Sequence, residues 1–247
     1  MSSRTLALIF AVMLLVPEAA TAQMTYRLRG TVRDNEGKPI ANANVRAEAL
    51  IGFRGEQFVG QKEFETTANA KGEWVVLGLT SGIWAFEATA PEVIPQVVLL
   101  PINFTNRKPQ SAQGGSFSWD LPLRVRRTTH AGLTTAAAAA TARRTDEATA
   151  LIGGLAGETD PEVLCAAGEL ALLVRQNGLA NAIFTQVLKT QPKHACATLG
   201  AASTALMQNN LDTASKMLWA AIDLAPREQR PALGAAVKDL QAISGTK

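Results

Sequence analysis

The chain has 247 residues, 47% apolar and 18% charged, a globular composition with room for one or two hydrophobic cores. Its formal charge of +3 is evenly spread: residues 23–127 carry 13 Lys/Arg against 10 Asp/Glu, and residues 128–247 carry 10 against 10. That balance excludes the strongly basic surface of a dedicated nucleic-acid binder, and two His with two Cys exclude a metal centre built from several of them or a disulfide-rich framework.

The first 22 residues read as an address. Arg4 supplies a positive start, Leu6 to Val16 form an eleven-residue apolar run, and Ala20-Thr21-Ala22 is a small-residue cleavage site. This is the pattern of a signal peptide, with Gln23 as the first mature residue. The run falls short of the about 20 residues that span a hydrocarbon core. The expectation is an exported chain, periplasmic or secreted, with no membrane span after cleavage.

Residues 23–127 then alternate as strands do. Leu28, Gly30 and Val32 face one way and Arg27, Arg29, Thr31 and Arg33 the other, the period of a half-buried strand. Asp34 to Pro39 is a turn. Ala43, Val45, Ala47 and Ala49 mark a second inward face, and further strands are predicted over 57–66, 73–79 and 83–90. Pro91, Pro95 and Pro101 interrupt pairing around the apolar run 97–100, and Phe117, Trp119, Leu121 and Leu123 alternate in a closing strand. Short, regularly spaced strands with Gly-rich turns predict an antiparallel β-sandwich. Trp74, Trp84 and Trp119 lie on alternating apolar faces and are expected in the core, stacking on sugars being the alternative. The outward arginines, with Arg124, Arg126 and Arg127, are expected to form a solvated face rather than a basic docking patch.

Gly30-Thr31-Val32-Arg33-Asp34, Gly37-Lys38-Pro39-Ile40 and Ala43-Asn44-Val45, followed by Thr67 to Trp74, Gly78-Leu79 and Gly82-Ile83-Trp84, resemble the carboxypeptidase regulatory-like domain over about one hundred residues. Ala90-Pro91-Glu92 departs from the Gly-Tyr that many members carry there. The resemblance implies a transthyretin-like sandwich that serves as an accessory module without cleaving peptides. Carbohydrate-binding modules share related sandwich folds, so a glycan partner is a second expectation.

Residues 128–145 form an Ala/Thr-rich linker running into helix, and 146–247 form a helical domain. Helices are predicted near 133–155, 162–176, 179–190, 194–208, 211–224 and 228–243. An internal repeat can be counted: Gly168, Ala180, Phe184, Val187 and Pro192 map at a spacing of 34 onto Ala202, Ala214, Leu218, Ala221 and Pro226. Gln176 to Leu179 instead resembles Gln208 to Leu211 at a spacing of 32, a two-residue shift, and Gly178 and Asn210 are assigned to the turns. The period and its small and bulky positions resemble tetratricopeptide repeats, although Leu164 and Thr198 stand where that family often has Trp. The fold expected is multidomain β + α: an N-terminal antiparallel β-sandwich and C-terminal α-helical hairpin repeats.

The repeat resemblance implies a concave groove for a protein or peptide partner, lined by Glu162, Cys165, Glu169, Leu172 and Leu173 and by Cys196, Leu199, Ser203, Leu206 and Met207. The groove is mostly apolar and short; the chain's own linker or a second copy could also fill it. A disulfide needs Cα atoms within about 7 Å, whereas helix axes lie about 8–10 Å apart. Cys165 and Cys196 are therefore expected as free, partly buried thiols, a bond being the alternative in an exported chain. His130 and His194 lack a carboxylate or second His at metal-ligand spacing. No nucleophile elbow, phosphate loop or dinucleotide fingerprint occurs. The reading is a non-catalytic binding or scaffold protein, without cofactor or metal.

Overall fold

The computed structural model describes residues 26–52, 62–104 and 118–244. The signal-peptide segment, the first half of the strand expected over 57–66 and the start of the closing strand lie outside the described residues.

Seven strands form two sheets: β1 (Tyr26–Arg33), β2 (Asn44–Gly52), β3 (Glu63–Thr67), β4 (Glu73–Leu79), β5 (Gly82–Thr89), β6 (Gln96–Ile102) and β7 (Ser118–Arg124). One sheet has the order β4-β1-β7 and the other β3-β2-β5-β6. Trp84 and Phe86 are fully buried and Trp74 nearly so, with the Trp74 and Phe86 ring centroids 6.3 Å apart across the two sheets. These two tryptophans are core residues; the side chain of Trp119 lies outside the described residues.

Two turns hold the sandwich in register through side-chain oxygens. Asp34 Oδ1 accepts the N–H groups of Glu36 and Lys38, and Asn69 Oδ1 those of Lys71 and Glu73. Burial alone would raise the Asp34 carboxyl. Those backbone donors and the Arg127 guanidinium outweigh it and hold the group below the ordinary aspartate range. A depressed carboxylate contributes stability above its unfolded value of about 3.8 and loses that contribution as pH falls through its folded value. Asp34→Asn should therefore cost about 1–3 kcal/mol at neutral pH. In urea unfolding at a series of pH values, the gap to the parent should close in acid.

The sandwich is antiparallel as expected apart from one pair, β7 running parallel to β1 with Gly30 opposite Leu121. Strands β6 and β7 lie in different sheets, so no hairpin sets the direction of β7. The close approach requires glycine at 30: a Cβ there would sit 1.8 Å from the Leu121 carbonyl oxygen and 2.8 Å from the Trp74 ring. Gly30→Ala should cost about 1–3 kcal/mol by forcing β1 and β7 apart, read as a lower urea midpoint.

The run 97–100 is longer than predicted. It belongs to β6, which includes Pro101 and is buried at every position. Pro101 is tolerated because β6 is an edge strand. Val98 and Leu100 pair with Phe86 and Trp84 on the inner face, so Val97, Leu99 and Pro101 project from the outer one.

The helices are α1 (Ala131–Thr141), α2 (Thr145–Gly154), α3 (Pro161–Leu173), α4 (Asn177–Thr190), α5 (Ala195–Met207), α6 (Leu211–Leu224) and α7 (Arg230–Ser244), with a 3₁₀ turn over Leu155–Gly157. The Ala-rich linker is itself helical, and the continuous helix expected over 133–155 is a hairpin. Three hairpins share one turn geometry. Arg143, Arg175 and Asn209 adopt φ of 59°, 62° and 55°, and the next N–H bonds back to Ala139, Ala171 and Ala205 in a Schellman-type closure. No glycine marks these positions, so the break at Arg143 left no sequence signal. Of the two turn residues expected, Asn210 lies in the connection between α5 and α6 and caps α6, whereas Gly178 is corrected: it lies in the first turn of α4. Helices α4 and α6 both begin at a spacing of 34. The 32-residue likeness is incidental, since Gln176 precedes α4 whereas Gln208 ends α5.

The thiol expectation is overturned: Cys165 and Cys196 form a disulfide, with Cα atoms 6.3 Å apart. Glycine explains the approach. Added Cβ atoms at Gly168 on α3 and Gly200 on α5 would lie 2.5 and 2.3 Å from the Phe184 ring. Both helices therefore close on Phe184 more tightly than bulkier residues would permit.

Candidate functional site

One face of the helical array is covered by the chain's own sandwich. Strand β6 packs against α3, α5 and α7. Polar contacts fasten the junction: Arg175 to Glu48, Arg143 to Glu87 at 3.7 Å, Arg124 to Glu228, and the Asn103 N–H to Asp239 Oδ2 at 3.0 Å. Arg143 and Arg175 are the hairpin-turn residues, so left-handed backbone at two loop tips aims two cations at the outer sheet face. Outward arginines of the sandwich are likewise paired with acids, Arg29 with Asp120, Arg46 with Glu48 and Glu63, and Arg127 with Asp34.

The ten groove positions consequently separate. Cys165, Leu172, Leu173, Ser203 and Leu206 are buried, with Met207 half-buried. Leu173 faces Val97 and Glu87 across a narrow crevice. Glu162, Glu169, Cys196 and Leu199 line a cavity of about 570 Å³ at the N-terminal ends of α3 and α5. Ile94, Gln96 and Arg124 to Arg127 form its sandwich wall, while Val163, Ala166, Ala221, Ala225 and Leu233 supply much of the apolar helical wall.

Its polar groups converge. Arg126 bridges two carboxylates, with Nη1 2.7 Å from Glu162 Oε2 and Nε 3.3 Å from Glu169 Oε2. His194 caps α5, its Nδ1 accepting the Ala197 N–H at 3.3 Å. That use of Nδ1 leaves Nε2 to donate to Glu162 Oε1 at 3.1 Å. The bond from His194 lowers the Glu162 carboxyl against the opposing effect of burial, with Arg126 assisting. His130 caps α1 in the same way and has its Nε2 3.4 Å from Glu158. Both histidines therefore meet glutamates distant in sequence, which local spacing could not reveal.

Glu169 is only 6% exposed. Burial raises its carboxyl above the ordinary glutamate range despite Arg126 and a bond to Gln96. Two buried atoms on this lining make no hydrogen bond among the described residues: Arg124 Nε, and Glu169 Oε2, which has only the ion pair with Arg126 Nε. Such atoms are costly to bury unmatched. Convergent polar groups on an apolar wall between domains are the usual make-up of a binding pocket. Gln96, Arg124, Arg126 and His194 were absent from the sequence-derived site. The two-sided apolarity of β6 was the one available hint that something covers its outer face.

Among the described residues, no group of three or more His, Cys, Asp or Glu is placed to hold a metal ion, and no helix is long and apolar enough to cross a membrane.

No protein-family model matches the chain, and no curated protein matches it. Solved structures with partial similarity include catechol 1,2-dioxygenase from Acinetobacter, at 13% identity and a TM-score of 0.35, covering 45% of this chain and 55% of that one. The dioxygenase domain of a Streptomyces dioxygenase–carbohydrate-binding fusion is 14% identical with a TM-score of 0.33, covering 44% and 84%. PcrH, solved with the chaperone-binding region of PopB, is 17% identical with a TM-score of 0.37, covering 44% and 90%. The chain spans about half the length of the first dioxygenase, and likeness at these scores carries no functional argument.

Proposed function

We propose that this chain is an exported, non-catalytic binding protein in which a carboxypeptidase regulatory-like sandwich fills most of a tetratricopeptide-like groove. The remaining space holds a peptide segment of a protein partner. The observation that carries this reading is the cavity of about 570 Å³ walled by both halves. The 34-residue spacing of α4 and α6 supports the repeat assignment. The Cys165–Cys196 bond supports an oxidising compartment and hence export. The glycan alternative loses two of its three stacking rings, because Trp74 and Trp84 are buried.

The test is a thermal-shift screen of the full chain against short peptides and small zwitterions. A binder at one hundred times its Kd adds about 2.7 kcal/mol, which raises Tm by several degrees. Leu199→Trp, placing an indole in the cavity, should abolish the response while leaving the fold intact. A parent protein that responds to nothing, or a variant that responds equally, removes the cavity as the binding site.

A further inference from the structure

Resting on the cavity as the binding site, we propose that it recognises a free α-ammonium group beside a carbonyl on an apolar body, as at the amino terminus of a hydrophobic peptide. The ammonium group donates to Glu169 Oε2, and the adjoining carbonyl accepts from Arg124 Nε.

Four observations support this polarity. Glu169 Oε2 is buried and makes no hydrogen bond; its one cationic neighbour there, Arg126 Nε at 3.3 Å, belongs to a guanidinium shared with Glu162, and burial still outweighs that pairing. Arg124 commits its terminal nitrogen to Glu228 and leaves a buried Nε–H without an acceptor. Gln96 lies between them, accepting the Arg124 backbone N–H and bonding Glu169. Finally, three arginines and three carboxylates line the space, so the wall has no net charge and suits a ligand that is bipolar but neutral or weakly charged. A phosphate-like dianion is disfavoured by Glu162 and Glu169 on the same wall. Pockets of roughly 300–1,000 Å³ hold ligands of drug size, about that of two or three apolar residues, so the apolar wall has side chains to receive.

The same chemistry is offered by a peptide terminus and by a free amino acid, and calorimetry on the full chain separates them. The probes are trileucine, N-acetyl-trileucine and free leucine. Trileucine should bind saturably, and acetylation, which removes the positive charge, should weaken it at least tenfold. Glu169→Gln should weaken trileucine at least tenfold while leaving N-acetyl-trileucine unchanged. Arg124→Lys keeps the charge but removes Nε, and should weaken trileucine severalfold, which guards against misfolding of the first variant. Free leucine binding as tightly as trileucine assigns the site to amino acids; weaker binding assigns it to peptide termini. Equal affinity for trileucine and its acetylated form, or indifference to both substitutions, overturns the inference. In that case a different ligand whose thermal shift is lost in Leu199→Trp still leaves the cavity reading standing. No response from these three probes overturns the inference alone; the cavity reading falls only if the thermal-shift screen is silent as well.

Discussion

Phe184→Ala should lower the stability of the helical half by about 3–5 kcal/mol, making it one of the two most damaging changes considered. Phe184 is fully buried on α4, and its ring is the surface on which Gly168 and Gly200 rest. Removing it leaves a void that two helices, already bridged by a disulfide, cannot close easily. The second half of the prediction is a reversal of sign. Gly200→Ala in the parent places a Cβ 2.3 Å from that ring and should destabilise. In the Phe184→Ala background the same substitution meets empty space and brings the better helix propensity of alanine, about 1 kcal/mol. It should therefore be neutral or stabilising there. A double-mutant cycle by urea unfolding checks it; additive losses would mean that the glycine contacts do not set the packing of α3, α4 and α5.

Opening the Cys165–Cys196 bond is expected to cost about 3–4 kcal/mol, the loop-closure value for a separation of 31 residues. The bond ties the first helices of successive hairpins with α4 between them, so it restrains the segment that the Phe184 contact organises. Replacing both cysteines by serine and adding reductant to the parent should lower the urea midpoint by similar amounts. Reductant should leave the serine variant unchanged. Because Cys196 lines the cavity, the loss should also weaken any ligand that the parent binds.

What could be read locally was read well, and the reason is short range. The β1 alternation, the Asp34 turn, the limits of β4 and the limits of α6 each depend on residues within one turn or one strand period. The 34-residue repeat is likewise a property of the chain's own spacing. Misjudged features involve a conformation without a residue signature or a partner far along the chain. Arg143 adopts a left-handed turn that glycine would have announced. Cys165 and Cys196 meet because two glycines and one phenylalanine on three helices allow it.

The cavity belongs wholly to the second kind. Glu162 and Glu169 fall on the predicted helix that is α3, but their partners Arg126 and His194 come from the end of the sandwich and from the next hairpin. The sandwich alone would leave Val97, Leu99 and Pro101 projecting from the outer face of β6, and the helices alone would leave Leu172, Leu173 and Leu206 uncovered; packing buries both. Asn103 and Asp239, joined across 136 residues, show why sequence did not decide it. Periodicity specifies which face of an element is apolar, whereas the identity of the covering surface depends on shape and charge matched between elements that never adjoin in the chain.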